Sequence, residues 1–335
     1  MIRVGLVGYG LAGSVFHTPL IRACERMQLA AIMTSREAPL RVRSLGELID
    51  RSELVVIATP NRTHFGIAKA ALEAGKHVVV DKPFTVTLKE ADALIALADQ
   101  RHCVLSVFLN RRWDADFLTV RDLLPRLGDV ELFEAHWDRF RPEIKQGWRE
   151  LPKPGGGVFS DLGPHLIDQA LQLFGMPEMV SADIGSQRDD ARVDDYFDVT
   201  FHYGSLRVCL RCSTLVAAPR PRFAVHGTAG SFTKNGLDPQ EAQLKSGMDP
   251  RQPCFGLDLA DGLLVDPTGH AHAVPTRHGN YRAFYEGVAD AILDGAPVPV
   301  PAQEARDGLA IITLARRAAA QGRRLAVPDA SSPVG

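Results

Sequence analysis

The sequence predicts an α/β chain in two parts, a doubly wound parallel sheet followed by an α+β domain with a largely antiparallel, open sheet. Short β-branched runs alternate with helical stretches over the first hundred or so residues, which is typical of parallel strands covered by helices. The later sequence is rich in strands. The length of 335 residues also exceeds what one hydrophobic core usually organises. We therefore expect one domain over residues 1–120 and a second over residues 121–335, with a cleft between them.

Five strands and three long helices are predicted in the first part. The strands are short β-branched runs at residues 2–7, 29–33, 54–57, 77–80 and 104–108. Helical periodicity predicts helices at residues 12–25, 63–74 and 88–101. The chain between residues 33 and 54 has room for little more than one short helix, around residues 44–51, so we expect the second crossover to be abbreviated.

The second part is predicted to contain an antiparallel sheet with three helices. Alternating or clustered apolar residues predict strands at residues 130–137, 180–184, 196–203, 206–213 and 223–227. Helices are predicted at residues 162–174, 281–293 and 303–321. One face of an open sheet needs cover, and symmetric pairing of such faces is a common solution. We therefore expect a homodimer or homotetramer.

Composition narrows the class of partner. A hydrophobic content of 45%, a charged content of 23% and a formal net charge of -2 are those of an ordinary globular protein, and they give no basic surface for a nucleic acid. An apolar run of about 18 residues, the minimum for a membrane-spanning helix, does not occur. The first residues lack the features of a secretory leader. We expect a soluble, cytoplasmic protein that binds neither nucleic acid nor membrane.

The cysteines and histidines predict no metal site. Five cysteines are scattered and odd in number, as expected of free thiols in a reducing compartment. Cys209 and Cys212 form a C-x-x-C, but on the predicted strand their odd spacing points the two sulfurs to opposite faces. His270 and His272 lack a nearby Cys or acidic ligand pattern.

Gly8, Gly10 and Gly13 form a G-x-G-x-x-G pattern directly after the first predicted strand and directly before the first predicted helix. Gly8 allows a tight turn, Gly10 lets the backbone approach a pyrophosphate, and Gly13 lets the helix pack closely on the strand. The N-terminus of the helix, next to Leu11, then faces the anion. The pattern predicts a Rossmann domain that binds a dinucleotide, with these four residues in contact with it.

The end of the second strand indicates which nucleotide is preferred, because this position meets the ribose 2′ group. The sequence there is Met33-Thr34-Ser35-Arg36. An acidic side chain would accept from a free 2′-hydroxyl, whereas a hydroxyl followed by the Arg36 guanidinium suits a 2′-phosphate. The sequence therefore favours NADP over NAD. Alternatively, Arg36 is a solvated loop charge close to Glu37.

Two further segments follow strands at the carboxyl edge of the sheet, where ligands of such folds bind. After the third strand, Thr59, Asn61 and His64 are candidate cofactor contacts, and Thr63 alternatively caps the next helix. After the fourth strand the sequence is Asp81-Lys82-Pro83.

Asp161, His165 and Asp168 have the i, i+4, i+7 spacing that places side chains on one face of a helix. Three titratable groups along a face that should be apolar indicate that this face looks into a cleft. Simpler alternatives exist for each. Asp161 suits an N-cap carboxylate, His165 a core histidine with satisfied hydrogen bonds, and Asp168 a structural group.

With these motifs the sequence resembles the Gfo/Idh/MocA family of oxidoreductases over essentially its whole length. The family's E-K-P motif has Asp81-Lys82-Pro83 as its counterpart, a change in the first residue that keeps the lysine. The family's G-G-G…D-x-x-x-H segment is matched from Gly155 to His165. Residues 110–114 and 138–142 are similar to those of a narrower subgroup that includes NADP-dependent scyllo-inositol dehydrogenase.

The resemblance implies that Lys82 contacts the nicotinamide ribose and the substrate hydroxyl, with Asp161 and His165 completing the catalytic group. The chemistry agrees, because a neutral imidazole can take the hydroxyl proton near pH 7 and a carboxylate can orient it. The lysine ammonium would stabilise negative charge that develops on oxygen. Asp81 joins the expected cofactor contacts. Candidate substrate contacts are Lys82, Asn110, Arg111, Trp113, Asp138, Arg139, Asp161 and His165, of which the loop residues equally suit salt bridges.

We expect an NAD(P)-dependent enzyme that transfers a hydride between nicotinamide and a secondary hydroxyl or ketone of an inositol-like polyol or sugar. Two alternatives come from other classes. One is a glycosidase that keeps its nicotinamide bound and uses transient oxidation to eliminate the aglycone. The other is a regulator that binds NADP without catalysis, a role that would not need Lys82 and His165.

Overall fold

The computed structural model describes residues 1–144, 147, 150–152 and 155–328. These residues divide into two compact units. The first contains Met1–Asp114, Asp238–Leu257 and Gly279–Leu309, and the second contains Ala115–Leu237, Asp258–His278 and the chain from Ala310 onward. The first unit thus includes two later segments of chain, whereas the predicted domains were each one continuous stretch. A division near residue 120 remains a prediction.

The first unit contains a parallel sheet of six strands. The strands are β1 (Ile2–Val7), β2 (Met27–Met33), β3 (Arg41–Val42), β4 (Leu54–Ile57), β5 (His77–Asp81) and β6 (Leu105–Phe108). They lie in the order β3-β2-β1-β4-β5-β6, and every neighbouring pair is parallel. The chain leaves β1 in one direction for β2 and later returns to pair β4 on the other side of β1. This order confirms the predicted doubly wound sheet, and it makes the carboxyl end of β1 the place where ligands of such sheets bind.

Along the described chain, a π-helical segment, Ala12–His17, follows β1, and the α-helices come after it. They are α1 (Thr18–Ala23), α2 (Leu45–Asp50), α3 (His64–Glu73), α4 (Leu88–Gln100), α5 (Ala115–Leu123), α6 (Val158–Phe174), α7 (Gln240–Lys245), α8 (Arg282–Asp294) and α9 (Ala302–Gln321). The single short helix α2 between β3 and β4 confirms the abbreviated second crossover. The start of α4 shows how local sequence sets a boundary. Thr87 accepts a hydrogen bond from the backbone N–H of Glu90, and the Glu90 carboxylate accepts one in return.

The core of the first unit lies on both faces of its sheet. All four residues of β4 are buried, as expected of a central parallel strand covered on both sides. Helices α3 and α4 contact each other, and α1 contacts α8. Phe284 and Tyr285 of α8, and Tyr281 directly before it, belong to this core, and all three side chains are fully buried. The later segment Gly279–Leu309 is therefore part of the hydrophobic interior of this unit.

The second unit contains a nine-stranded sheet. Its strands are β7 (Val130–His136), β8 (Met179–Gly185), β9 (Tyr196–Tyr203), β10 (Leu206–Ser213), β11 (Phe223–Gly227), β12 (Gly230–Lys234), β13 (Gly262–Val265), β14 (Ala271–Val274) and β15 (Leu325–Ala326). The order is β14-β13-β12-β11-β7-β10-β9-β8-β15. Only the β7–β10 pair is parallel among these described strands. The predicted, largely antiparallel sheet is confirmed.

Helix α6 contacts β9 and β10 on one face of this sheet. Along β9, Phe197, Val199 and Phe201 are buried in that core, while Asp198 alternates with them and lies on the other face. On this other face, Arg211 forms ion pairs with Asp198 and with Glu134 of β7. The sheet thus has one apolar face that holds α6 and one face with a ladder of opposite charges.

Candidate functional site

The glycine turn at the end of β1 has the shape that a dinucleotide requires. Gly8 has a φ of 98°, and a Cβ there would lie 2.3 Å from the carbonyl oxygen of Ala58. A Cβ on Gly13 would lie 2.1 Å from the carbonyl oxygen of Gly8. Around Gly10, by contrast, an added Cβ meets no atom within 4 Å. The first and third glycines are therefore needed by the fold, and the second leaves open space beside the backbone.

The helix that follows the turn presents its N-terminus at the same place. The backbone N–H and the hydroxyl of Ser14 both donate to the carbonyl oxygen of Gly10, at 2.9 and 2.8 Å. Leu11 is exposed at the helix start. The first N–H groups of a helix have no partner within the helix and carry partial positive charge. The open space at Gly10 and this helix end together fit the pyrophosphate of a dinucleotide.

Ser35 and Arg36 lie at the carboxyl end of β2, next to the glycine turn. Both residues are exposed, and the backbone N–H of Arg36 donates to the Thr34 hydroxyl at 3.1 Å. Within the described ranges, Arg36 forms no ion pair, with Glu37 or with any other carboxylate. The guanidinium is therefore available to an anionic group of a ligand.

The loop after β4 is held by hydrogen bonds of its own. The Thr63 hydroxyl donates to the carbonyl oxygen of Pro60 at 2.8 Å and lies 2.7 Å from the hydroxyl oxygen of Thr59, and Thr63 does not cap α3 with its side chain. His64 is fully buried. Its Nε2 lies 2.8 Å from the carbonyl oxygen of Thr59, and its Nδ1 lies 3.0 Å from that of Pro83. His64 thus bridges two loops at the carboxyl edge of the sheet, while Asn61 and Thr59 are partly exposed there.

Lys82 lies on the turn directly after β5, at the same edge as the glycine turn. Its backbone N–H donates to Oδ1 of Asp81 at 2.8 Å, and the Lys82–Pro83 peptide bond is cis. Burial by itself would raise the pKa of Asp81, but the neighbouring His17 ring and the charge of Lys82 outweigh it. The pKa of Asp81 therefore lies below its ordinary range, and the carboxylate is ionised beside the lysine.

The segment Asn110–Trp113 forms a short 3-10 helix after β6. Arg111 is buried there, and its guanidinium contacts the Tyr281 hydroxyl at 3.1 Å, Asp114 at 3.4 Å and the carboxylate of Glu241. These contacts favour the salt-bridge alternative for Arg111 over a substrate contact. Asn110 is also buried, and Trp113 is partly exposed.

In the second unit, α6 begins at Val158, four residues earlier than predicted. Its N-terminus is capped from a distant segment. The Asp194 carboxylate accepts from the backbone N–H of Phe159 at 2.7 Å, and a Cβ on Gly157 would lie 2.4 Å from that carboxylate. Burial raises the pKa of Asp194, which this N–H and Arg316 offset only in part. Asp161 lies in the first turn but is not the N-cap, so the capping alternative for Asp161 is wrong.

Asp161, His165 and Asp168 follow one another at helical spacing along α6, as predicted. His165 and Asp168 are each 5% exposed, and Asp161 is partly exposed. The ring of His165 lies 6.4 Å from the ring of Trp137, centroid to centroid. The neighbouring positions Leu162 and Leu166 pack into the core of this unit. The helix therefore has an apolar side and a separate stripe of three titratable groups.

Asp138, just after β7, is held by an ion pair. Its two carboxylate oxygens accept from Nε and Nη2 of Arg220, each at 2.8 Å, and the carboxylate is fully buried. Burial would raise the pKa of Asp138, but the hydrogen bonds and charge of Arg220 outweigh it and hold the pKa below its ordinary range. This geometry also favours a salt-bridge role over a substrate contact.

Sequence reasoning missed two residues that shape these sites. Asp194 belongs to no local motif, because the N-terminus of α6 that it caps lies far from it in the sequence. His17 is fully buried and lies 3.9 Å from the Asp81 carboxylate, Nε2 to Oδ2. Its position in the helix after the glycine turn was a usable signal, because that helix must pass next to the ligand.

The described residues lack the features of two other kinds of site. They contain no group of three or more His, Cys, Asp or Glu side chains arranged to hold a metal ion. No helix among them has the length and apolar character needed to span a membrane.

Comparison with known proteins identifies the family. Residues 2–109 match the sequence model of the oxidoreductase family's NAD-binding Rossmann fold, and residues 122–327 match that of its C-terminal alpha/beta domain, both from Gfo/Idh/MocA. "Uncharacterized oxidoreductase YdgJ" of Escherichia coli K12 is 46% identical over 93% of this chain and 95% of its own length. The Bacillus subtilis protein scyllo-inositol 2-dehydrogenase (NADP(+)) IolW is 38% identical over 97% of this chain and 95% of its own length.

A solved structure supports the same family. The crystal structure of an oxidoreductase from Bacillus cereus has a TM-score of 0.90 and 33% identity, and it covers 98% of this chain and 99% of its own. The resemblance that the glycine pattern, the lysine-proline turn and the Asp/His helix predicted is confirmed. The chain therefore belongs to the Gfo/Idh/MocA family and is an NAD(P)-dependent oxidoreductase.

Proposed function

We propose that this enzyme transfers a hydride between a nicotinamide nucleotide and a secondary hydroxyl or ketone of an inositol-like polyol or sugar. The observation that carries the proposal is the stripe of titratable groups on α6, whose N-terminus is already capped by Asp194. Asp161 is not the N-cap of this helix, and it lies one helical turn before His165 in the same stripe. The name of the relative IolW, 38% identical, supports scyllo-inositol as the first polyol to test.

Each proposed catalytic residue has a separate task. The bound nicotinamide supplies the hydride acceptor or donor. His165 removes the proton of the substrate hydroxyl as a neutral imidazole, and Asp161 orients that ring and stabilises its protonated form. The ammonium group of Lys82 stabilises negative charge on the substrate oxygen. In the reverse direction the same groups return the proton to the alkoxide.

Substrate recognition is assigned to Lys82, Asp161 and His165, with Asn110 and Trp113 as further contacts. Arg111 and Asp138 suit this role less well, because each is buried in an ion pair within its own unit. Their charges are balanced by protein partners, so the enzyme would have to break those pairs to use them.

The cofactor proposed is NADP. The exposed guanidinium of Arg36 at the end of β2 supports it, since a 2′-phosphate is the group that distinguishes NADP from NAD at this position. Substituting Arg36→Ala should weaken NADP binding at least tenfold, about 1.4 kcal/mol, and leave NAD binding unchanged. Arg101→Ala, at an exposed arginine beyond α4, is the control. Equal effects of Arg36→Ala on both nucleotides would refute this assignment.

The enzyme test is a paired NADP and NAD assay over inositols and aldoses, followed through the absorbance of reduced nicotinamide. Lys82→Ala and His165→Ala should each abolish turnover while the nucleotide still binds. Lys89→Ala and His278→Ala, at exposed residues, are matched controls that should keep activity. Absence of turnover by the wild type over the whole panel would refute the proposal.

The two alternative functions, a glycosidase and a non-catalytic regulator, would give different results in such assays. A glycosidase would release nitrophenol from aryl glycosides with no net change in the nicotinamide. A regulator would bind NADP tightly and turn over nothing.

A homodimer or homotetramer also remains part of the proposal, and the charged face of the nine-stranded sheet is a candidate surface for subunit contact. Light scattering of the purified protein measures that state.

A further inference from the structure

A line of polar groups in the first unit ends at the turn that carries Lys82. His17 closes the π-helical segment after the glycine turn, and its ring is fully buried. Its Nδ1 lies 2.6 Å from the hydroxyl oxygen of Tyr285 on α8, and its Nε2 lies 3.9 Å from Oδ2 of Asp81. The other oxygen of Asp81 accepts from the backbone N–H of Lys82 at 2.8 Å. Tyr285 of α8, the His17 ring, the Asp81 carboxylate and the backbone of Lys82 thus follow one another in space.

The charges along this line decide which ring nitrogen of His17 carries the proton. Burial raises the pKa of Tyr285 well above its ordinary value, so its hydroxyl stays protonated and can donate. An ionised carboxylate only accepts, so Nε2 faces Asp81 favourably only as an N–H. Nδ1 is then a bare acceptor for the Tyr285 hydroxyl. Of the two neutral tautomers, the Nε2–H form is therefore the one in which the Tyr285 hydroxyl faces an acceptor and the Asp81 carboxylate faces a donor.

The contact between His17 and Asp81 is longer than a direct hydrogen bond. Nε2 is nevertheless buried, and no hydrogen-bond partner for it occurs in the part of the chain that the structure describes. A buried N–H that faces a carboxylate across a short gap gains most by closing that gap. Hydrogen bonds of catalytic sites are often long in the free protein and shorten when ligands bind.

We propose that His17, oriented by Tyr285, is a positioning residue that holds Asp81 and through it the backbone of Lys82. This inference rests on the proposed catalytic role of Lys82. It assigns His17 a task in catalysis without contact with the substrate. It also connects the helix that receives the pyrophosphate to the turn that bears the ammonium group.

Two features of this chain support the inference independently. The helix around His17 is π-helical, with the backbone N–H of Thr18 donating to the carbonyl oxygen of Gly13, and such segments occur frequently at functional sites. The motif residue next to the lysine is Asp81 where the family motif has glutamate. A side chain one methylene shorter stays near its own backbone, where one oxygen accepts from Lys82 and the other faces the imidazole.

The tautomer is measured directly in the full-length protein labelled with 15N-histidine. Long-range 1H–15N spectra should show His17 as the Nε2–H form, with its signals assigned by their loss in a His17→Asn variant. In Tyr285→Phe the fixed tautomer should be lost. Tyr203→Phe is the control, because the Tyr203 hydroxyl lies 2.7 Å from a backbone carbonyl oxygen in the second unit and should leave His17 unchanged. An Nδ1–H form in the wild type would overturn the proposal.

A pair of substitutions separates positioning from a structural role. The amide of asparagine reaches about as far as Nδ1 of histidine, and that of glutamine about as far as Nε2. His17→Gln therefore keeps a donor toward Asp81, whereas His17→Asn does not. His17→Asn should lower kcat by about tenfold to a hundredfold, His17→Gln should lower it much less, and the KM for the nucleotide should stay the same. If the two variants lowered kcat equally, or only in proportion to their losses in Tm, the proposal would be overturned.

A readout that needs no turnover keeps this test separate from the proposed function. The rate at which acetic anhydride acetylates Lys82, followed by mass spectrometry, should change in His17→Asn and not in His17→Gln. If the wild type turned over no polyol but the tautomer and the acetylation rates behaved as expected, the proposed function would fail and the positioning would stand. Normal turnover of the wild type with an unchanged acetylation rate in His17→Asn would overturn the positioning alone.

Discussion

Two alanine substitutions in the glycine turn should separate folding from nucleotide binding. A Cβ on Gly10 meets no atom within 4 Å, and the φ of Gly10 lies outside the left-handed region, so alanine fits the free protein. A Cβ on Gly13 would lie 2.1 Å from the carbonyl oxygen of Gly8, where the backbone itself must move. The two positions are three residues apart in one motif, yet the structure predicts opposite effects on stability.

The expected magnitudes follow from these contacts. Gly10→Ala should stabilise the free protein by about 0.4–1 kcal/mol, because it reduces the freedom of the unfolded chain. The same methyl group occupies the room through which a pyrophosphate would approach, so the Kd for NADP should rise at least tenfold, about 1.4 kcal/mol. Gly13→Ala should destabilise the protein by about 1–3 kcal/mol through overpacking.

Urea denaturation of the free protein and titration calorimetry with NADP measure the two quantities. Gly66→Ala is the control, since Gly66 is an exposed position of α3 where a Cβ also meets nothing within 4 Å. It should raise stability as Gly10→Ala does and leave the Kd for NADP unchanged. The reasoning would be refuted if Gly10→Ala bound NADP like the wild type, or if it unfolded more easily than the wild type.

Three further substitutions test the environment of the site. His64→Ala removes the contacts to two backbone carbonyls in a buried position, so the free energy of unfolding in urea should fall by about 1–3 kcal/mol, and an unchanged value would contradict the bridge. The pKa of Asp138, depressed by Arg220 against the effect of burial, contributes stability above the ordinary aspartate pKa of about 3.9 and loses it as the pH falls through the folded value. The stability difference between wild type and Asp138→Asn should therefore shrink in urea titrations below about pH 4, and a constant difference would be inconsistent with the ion pair. Asp194→Ala should lower the free energy of unfolding by about 0.5–2 kcal/mol through loss of the Phe159 cap, with the Kd for NADP unchanged, whereas no loss would mean that α6 is capped elsewhere.

The first unit was predictable from the sequence because its strands are buried on both faces. Strand β4 consists of four buried apolar residues bounded by a turn, and the glycine pattern fixes its neighbour β1. Strand β3 was missed because it has only two residues, too few for any periodicity. Helix α5, at the start of the second unit, was missed for another reason, since its residues 115–120 are all buried and show no amphipathic pattern.

The candidate site was predictable only where a motif carries it. The face shared by Asp161, His165 and Asp168 follows from helical spacing alone. The start of α6 was not predictable in this way, because its cap comes from Asp194, which lies 35 residues beyond Phe159 in the sequence and shares no local pattern with it. The ion pairs of Arg111 likewise depend on Glu241, which the topology alone brings near.

The composition of the first unit has a consequence for how the chain is made. Its sheet ends at Phe108, but its interior also needs the aromatic side chains of α8, and the contact between His17 and Tyr285 joins residues 268 positions apart. During vectorial synthesis the nucleotide-binding strands leave the ribosome long before these partners exist. An amino-terminal fragment released at that stage would expose apolar surface and aggregate. Because closure of so long a loop is slow, we expect chaperones to bind the incompletely folded chain at this stage.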